Sequence, residues 1–296
     1  MKLLNLILAI LMCSCLIFAS CSNEIDGTDT NISSQQSEIE KTPSSFILAS
    51  AEMDLPFGKM KSEYSYDEQC NLIEIESYSK NVLTNSEKYK YDDKGYLIEK
   101  VSVSYDNSGN ETFKSTEAYV NSADGLVQSG TIEMSDNTST FINQYDNKNR
   151  ITLHEQKDSS GNTISKQEYT YTDDFNSFEC VELDGRTHII KYDANGNELE
   201  NAWLDSNGNT ISSSVNEYDS HNNVTKTTNH KNSVTEQKHT YNNEVLVKTE
   251  IIADGELTST IEYNYDEYGN LVVKKQTSVS GTVETTVNTW TPVYED

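Results

Sequence analysis

The sequence predicts an all-β protein built as an antiparallel meander of tandem β-hairpins. Its 18 tyrosines accompany many threonines and valines, which are residue types that fit pleated, half-buried surfaces. Between turns, apolar and polar residues alternate: Ile261, Tyr263 and Tyr265 fall on one face, and Glu262 and Asn264 on the other. This period of two indicates strands with one buried face. A Tyr-Asp pair followed by a turn also recurs about every 25 residues, and a fixed period is typical of repeat proteins.

The first 20 residues have the composition of a secretory signal peptide. Lys2 is their only charged residue, a long apolar run follows it, and small residues precede Cys21. Residues 18–21 resemble the lipobox of bacterial lipoproteins, in which the cysteine becomes the first mature residue and carries the lipid. The resemblance implies that Cys21 is lipidated. Cys15 is a second candidate for the lipid, and an uncleaved transmembrane helix is the alternative to cleavage.

The sequence divides into three predicted segments. Residues 1–20 form the lipoprotein signal peptide, and residues 21–50 form the lipidated cysteine with a flexible polar tether. The tether is assigned because this segment is polar, shows no period and offers little to bury. Residues 51–296 form the β-hairpin repeat domain.

The repeat turn follows from the chemistry of its residues. Aspartate accepts hydrogen bonds from the backbone amides ahead of it, which starts a turn. A glycine or asparagine four residues after the tyrosine tolerates the positive φ of a bulged hairpin. Cys70 occupies this position in the first copy, so that turn is expected to be strained or rearranged. An apolar residue usually follows six after the tyrosine and restarts the strand, but in the Tyr192 copy it slips by one, to Leu199.

About nine repeats of two strands each are predicted, because nine tyrosines lie 21 to 28 residues apart and a second turn falls midway between most of them. Seventeen or eighteen strands with an apolar face must curl, close or split into two layers. We expect a curled or coiled single sheet whose tyrosine rings supply most of the core. The nine tyrosines are Tyr66, Tyr91, Tyr119, Tyr145, Tyr171, Tyr192, Tyr218, Tyr241 and Tyr265.

From about residue 60 to 290 these Tyr-Asp-x-x-Gly-Asn-Leu units resemble the Rhs/YD-repeat proteins. The resemblance implies strips of β-hairpins that coil into a shell. It also implies structural roles without catalysis for the tyrosines of the sheet core and for the aspartates and glycines of the turns. These residues are Tyr66, Asp67, Tyr91, Asp92, Gly95, Tyr145, Asp146, Tyr192, Asp193, Gly196, Tyr218, Asp219, Tyr265, Asp266 and Gly269.

Charge and motif composition exclude several functions. The chain has 48 acidic and 22 basic residues, a net charge of −26, which disfavours a nucleic-acid partner. The five histidines form no HExxH motif, so we expect no metal, no cofactor and no catalytic residues. Weak Ca²⁺ binding by the aspartate turns is left open, since they faintly resemble calcium loops. Pairing of Cys70 with Cys180 is also left open.

Four aromatic residues near turns or the chain end are candidates for stacking on a ligand: Tyr96, Trp203, Tyr268 and Trp290. Together these features predict a lipid-anchored, surface-exposed bacterial envelope protein outside the cytoplasm, with a non-enzymatic binding or structural β-repeat domain. Its expected partners are membrane lipid through Cys21 and a polysaccharide or another envelope protein. One alternative is an accessory or remnant of an Rhs-type toxin system, immunity-like or shell-derived. A second is a hydrolase that uses scattered carboxylates.

Overall fold

The computed structural model describes residues 43–135, 137–172 and 176–294. The predicted signal peptide, the lipidation site Cys21 and the tether up to residue 42 lie outside the described residues. The first strand begins at Ser45, six residues before the predicted start of the repeat domain at residue 51.

The described residues form one sheet of twenty antiparallel strands, each paired with the next strand along the chain, which confirms the predicted meander. The strands outnumber the predicted 17 or 18 because nine turns at one end join ten hairpins. A 3-10 helix, His230–Asn232, connects β15 to β16. The strands are β1 Ser45–Leu55, β2 Gly58–Tyr66, β3 Leu72–Ser79, β4 Val82–Tyr91, β5 Leu97–Tyr105, β6 Glu111–Asn121, β7 Val127–Met134, β8 Asn137–Tyr145, β9 Ile151–Asp158, β10 Thr163–Tyr171, β11 Ser177–Glu182, β12 Thr187–Tyr192, β13 Glu198–Leu204, β14 Thr210–Tyr218, β15 Val224–Asn229, β16 Val234–Asn242, β17 Val245–Ala253, β18 Glu256–Tyr265, β19 Leu271–Ser278 and β20 Val283–Val293.

The sheet is closed, because β1 pairs with β20 as well as with β2. The Ser44 backbone N–H donates to the Val293 carbonyl at 2.8 Å, and the Ser44 hydroxyl donates to the same oxygen at 3.1 Å. The prediction of a curled or coiled sheet is therefore corrected to a cyclic order of strands. Closure gives hydrogen-bond partners to strands that would otherwise lie at an edge.

The described residues fall into two compact units, residues 43–47 with 292–294 and the described part of residues 48–291. In the described part of the first unit, the backbone of residue 44 is bonded to that of residue 293. The second unit contains every Tyr-Asp turn discussed below.

The aspartate turns have the predicted geometry. In the turn after Tyr265, the Asp266 backbone N–H donates to the Asn270 carbonyl at 3.0 Å, and Gly269 N–H donates back to the Asp266 carbonyl at 3.1 Å. Gly269 has a φ of 85°, the left-handed conformation that the sequence predicts there. Cys70 takes the same conformation with a φ of 62°, so the first turn keeps its form at the conformational cost expected for a residue with a Cβ.

A bulge precedes most of the turns that follow a repeat tyrosine, and it fixes the register there. Tyr66 lies opposite Leu72 with a register shift just before it, and Tyr265 lies opposite Leu271 in the same way. In the Tyr192 copy, where the apolar residue lies at Leu199, Tyr192 is still opposite Glu198, the sixth residue after it. The backbone register of this copy is therefore regular, and only its apolar residue, Leu199, lies one position later in the sequence.

One predicted repeat position is displaced. The strand that holds Tyr119 continues to Asn121, which lies opposite Val127 as the repeat tyrosines lie opposite their partners. Ser122 replaces the turn aspartate, and its hydroxyl accepts the Leu126 backbone N–H at 3.0 Å. The sequence favours Tyr119 as the repeat position, because Asn121 and Ser122 do not form a Tyr-Asp pair.

Small side chains occupy the most buried positions among the described residues. Ser62, Ser115, Ser139 and Thr249 are between 1% and 7% exposed, whereas the repeat tyrosines are half-buried. The buried hydroxyls are paired across strands, as where Gln156 Nε2 donates to Ser139 Oγ at 2.7 Å. The core therefore depends less on complete burial of tyrosine rings than the sequence predicts.

Candidate functional site

The repeat tyrosines lie at the ends of strands, where backbone pairing stops. The described pairing of β3 with β4 ends at Glu74 and Lys88, so the Leu72 carbonyl lies beyond it. The Tyr91 hydroxyl donates to that carbonyl at 2.8 Å. This bond gives a side-chain partner to a carbonyl that lies beyond the described strand pairing.

This tyrosine ladder, defined as side-chain donors to a backbone carbonyl near the start of the preceding odd-numbered strand, extends along the sheet. Four more tyrosines make the same bond at 2.8 to 3.0 Å. Other donors replace tyrosine elsewhere, and the last is the indole of Trp290. The bonds are Tyr66 to Leu48, Tyr145 to Val127, Tyr218 to Glu198, Tyr265 to Leu246, Asn121 to Leu97, His239 to Val224 and Trp290 to Leu271.

An open groove of about 840 Å³ lies between the first two aspartate turns and is our candidate ligand site. Its walls include the tyrosines Tyr89 and Tyr91 and the isoleucines Ile73 and Ile98. The two isoleucines are 36% and 37% exposed, as are other large apolar side chains on the outer face of the sheet, so they are accessible to a ligand. Ligand sites combine such apolar walls with a few placed polar groups, and this volume falls in their usual range.

The polar side chains of the groove are of two kinds. Asp67 is committed to its own turn, since its carboxylate accepts the backbone N–H groups of Gln69 at 3.0 Å and Asn71 at 2.8 Å. By contrast, the side chains of Gln69, Asp93 and Lys94 make no hydrogen bond or ion pair within the part of the chain that the structure describes. These three groups point to a surface that can both donate and accept hydrogen bonds.

Hydrogen bonds and burial set the charge states at the groove. The Asn71 amide and two turn N–H groups lower the pKa of Asp67, which keeps this carboxylate ionised at neutral pH. Burial raises the pKa of Tyr91, so its phenol stays neutral and continues to donate to Leu72. Lys90 is paired with Glu99 at 2.6 Å, which offsets its charge.

A second polar cluster lies at the turn between β14 and β15. Tyr241 donates to Asp219 Oδ2 at 2.5 Å and accepts from the Asn223 amide at 2.8 Å. The His221 ring stacks on Tyr241 with centroids 4.0 Å apart, and its Nε2 lies 2.6 Å from Glu244 Oε2. Burial and the Asp219 carboxylate raise the pKa of Tyr241 to about 12.

This cluster explains why Tyr241 leaves the ladder. In most turns, the asparagine four after the aspartate donates to the aspartate, as Asn270 does to Asp266 at 3.0 Å. At Asp219 the corresponding Asn223 bonds to Tyr241 instead, and Tyr241 takes the place of the asparagine on the carboxylate. Since the Asp219 carboxylate accepts from two turn N–H groups and from Tyr241, the cluster stabilises the turn.

The four predicted stacking residues are not brought together. Tyr96 packs on the neighbouring turn, where a Cβ added to Gly125 would lie 2.4 Å from its ring. Trp203 stacks on His188 with centroids 4.2 Å apart. Trp290 is part of the ladder, and Tyr268 is 54% exposed in a turn away from the groove.

The sequence analysis missed the groove residues Gln69, Lys94, Ile73 and Ile98. The isoleucines follow the tyrosine by seven in two consecutive repeats, a spacing that could have singled them out. Both remaining cysteines are free thiols: Cys70 is exposed and Cys180 is buried. Across the described ranges, no group of three or more His, Cys, Asp or Glu side chains is placed to hold a metal ion. The same ranges contain no helix with the length and apolar character needed to cross a membrane.

The fold is thus that of an all-β protein with a closed antiparallel meander. Residues 124–288, 165 of the 296 residues, match the model of a protein family described as an uncharacterised protein, and the chain belongs to that family. No curated protein matches the sequence.

Solved structures show distant likeness. The crystal structure of TcdB2-TccC3-Cdc42 is similar over 79% of this chain, with 13% identity and a TM-score of 0.41, and the match spans 15% of that chain. A porin-like protein from Bacteroides uniformis is similar over 82% of this chain and 96% of its own, with 11% identity and a TM-score of 0.38. A porin-like protein from Bacteroides vulgatus covers 83% and 99%, with 9% identity and a TM-score of 0.34. These values are too low to assign a function.

Proposed function

We propose that the protein is a lipid-anchored bacterial envelope protein whose closed β-repeat domain binds a ligand outside the cytoplasm without catalysing a reaction. The observation that carries this proposal is the groove between the first two turns, where Gln69, Asp93 and Lys94 are uncommitted beside exposed apolar side chains. The groove therefore brings polar and apolar side chains together at one place on the surface, as a ligand site requires.

The anchor is supported by the sequence of the first 21 residues. Lys2, the apolar run and the small residues before Cys21 form a lipoprotein-type signal. Stable attachment to a membrane requires two or more acyl chains, which the modification of such a cysteine would supply.

The repeated Tyr-Asp turn supports assignment of the domain to the Rhs/YD-repeat class. The tyrosine ladder recurs at Tyr66, Tyr91, Tyr145, Tyr218 and Tyr265, and such a repeated bond suits a scaffold. The strong negative charge of −26 disfavours nucleic acid and anionic ligands alike.

Cell fractionation tests the anchor. Cys21→Ala is expected to move the protein from the membrane to the soluble fraction, while Cys15→Ala, the matched control within the signal, leaves it membrane-bound. Carbonate-resistant membrane association of Cys21→Ala would overturn the proposed lipid anchor.

A further inference from the structure

We infer that the groove between the Asp67 and Asp92 turns binds a neutral saccharide. This inference deepens the proposed function and rests on it. The groove borders two tyrosine rings and two exposed isoleucines, and it has a volume of about 840 Å³. Sugar rings have apolar C–H faces and a rim of hydroxyls, so they match a site that is apolar on its walls and polar at its rim.

The polar groups of the groove fit hydroxyls better than ions. Gln69 offers a donor and an acceptor, Lys94 offers only donors, and Asp93 offers only acceptors. A hydroxyl both donates and accepts, so one saccharide can satisfy all three side chains. Burial of a ligand against them would otherwise leave polar groups unpaired at a substantial cost.

The charges of the groove also favour a neutral ligand. The lining contains the carboxylates Asp67, Asp92 and Asp93 and the ammonium groups Lys90 and Lys94, a sum of −1. An anionic ligand would approach a chain of net charge −26 and meet these carboxylates. A neutral saccharide avoids this penalty.

The apolar wall can be tested with a matched pair of variants. Ile98 and Leu199 each follow their repeat tyrosine by seven residues, and each is 37% exposed. Ile98 lines the groove and Leu199 does not. Ile98→Gln should therefore remove a ligand contact, while Leu199→Gln makes the same chemical change elsewhere on the sheet.

The experiment uses the full chain in detergent micelles and measures binding to an α-glucan, a β-glucan and a mannan. An anionic polyuronate and a casein-derived peptide mixture serve as the other arms. We expect binding to at least one neutral glycan, weakened about tenfold by Ile98→Gln and by Lys94→Ala, which lies in an exposed turn where misfolding is not expected. Leu199→Gln should leave the affinity unchanged.

Three results would overturn the inference: no binding to a neutral glycan, equal weakening by Ile98→Gln and Leu199→Gln, or binding to the polyuronate or the peptides alone. Fractionation of the same protein reports the membrane anchor independently. Retained attachment without glycan binding would refute the saccharide site and leave the envelope assignment standing. Loss of attachment with intact glycan binding would do the reverse.

Discussion

At the scale of single residues, a ladder tyrosine differs from a nearby tyrosine outside the ladder in what its side chain contacts. Tyr91 donates to Leu72, a carbonyl beyond the end of the described strand pairing, whereas Tyr96 packs its ring on a neighbouring turn. The two residues are five apart in sequence but perform different tasks. One completes the backbone hydrogen bonding, and the other contributes ring packing.

Removal of one ladder hydroxyl tests this distinction. Tyr91→Phe keeps the ring but leaves the Leu72 carbonyl without its donor, so the free energy of unfolding should fall by about 1 kcal/mol. Tyr96→Phe is the control, since its hydroxyl makes no hydrogen bond with any residue that the structure describes. Urea denaturation measures both, and an equal change in the two variants would contradict the role of the ladder.

The left-handed turn position provides a reciprocal pair of substitutions. Cys70 has a φ of 62° and carries a Cβ, while Gly109 has a φ of 81° with no atom within 4 Å of an added Cβ. Cys70→Gly should stabilise the protein by about 1 kcal/mol, and Gly109→Ala should destabilise it by about 1 kcal/mol through conformation alone. Thermal denaturation compares them, and a stability loss in Cys70→Gly would show that the thiol makes contacts worth more than the strain.

At the scale of the element, the repeat consists of two strands, because Tyr192 and Tyr218 end strands at the same side of the sheet. Deletion of residues 193–218 removes β13 and β14 and joins Tyr192 to Asp219, which recreates a Tyr-Asp turn. This 26-residue deletion should leave a folded sheet of eighteen strands, since the order remains cyclic and antiparallel.

Deletion of residues 193–204 is the matched control. It joins Tyr192 to Asp205 and so recreates the same turn, but it removes β13 alone. An odd number of alternating strands makes β1 and the last strand parallel, so their observed pairing cannot form. Thermal unfolding is monitored by circular dichroism. We expect the variant with the 26-residue deletion to unfold cooperatively and the variant with the 12-residue deletion to show no cooperative transition. Equal behaviour of the two would refute the dependence on strand parity.

The strands and turns were more predictable from the sequence than the closure of the sheet. The alternation around Ile261 and the glycine at 269 indicate strands and turns through local chemistry, and both are found as predicted. The pairing of β1 with β20 joins residues about 250 apart, and no local pattern records it. The groove escaped prediction for a similar reason, since it arises from two turns that only the sheet register brings together.

At the scale of the whole molecule, the turn carboxylates make stability depend on pH. Hydrogen bonds from turn N–H groups and side chains lower the pKa values of nine aspartates below the ordinary 3.8: Asp67, Asp106, Asp146, Asp158, Asp184, Asp193, Asp205, Asp219 and Asp266. A lowered folded-state pKa stabilises the fold above the unfolded pKa. That contribution is lost as the pH falls through the folded values.

The acid prediction is therefore a Tm that falls steeply below about pH 4. Protonation also reduces the net charge of −26 and its self-repulsion, an opposing effect that is felt already at higher pH. Thermal unfolding followed by circular dichroism measures the balance between these two effects. The melts are recorded between about pH 6 and pH 2, the range in which aspartates titrate. A Tm that stays constant or rises across the acid range would show that the turn carboxylates contribute little.

Tyrosines give the matching prediction at high pH. Burial, with help from neighbouring carboxylates, raises the pKa values of Tyr78 and Tyr241 to about 12. A raised phenol pKa stabilises the fold below the unfolded value of 10, and this is lost as the pH rises towards 12. Ultraviolet titration should show a class of phenols that ionise only with alkaline unfolding, and complete ionisation near pH 10 in the folded protein would contradict the assignment.

The pairing of the first strand with the last has a consequence for self-association. A strand with a free row of backbone N–H and C=O groups templates the addition of strands from other molecules, and long open sheets are prone to aggregate in this way. In this chain β1 pairs with both β2 and β20, so it covers the edges that these two strands would otherwise expose. Proteolytic loss of that one strand would expose the edges of β2 and β20 at once, and each edge would then template intermolecular strand addition.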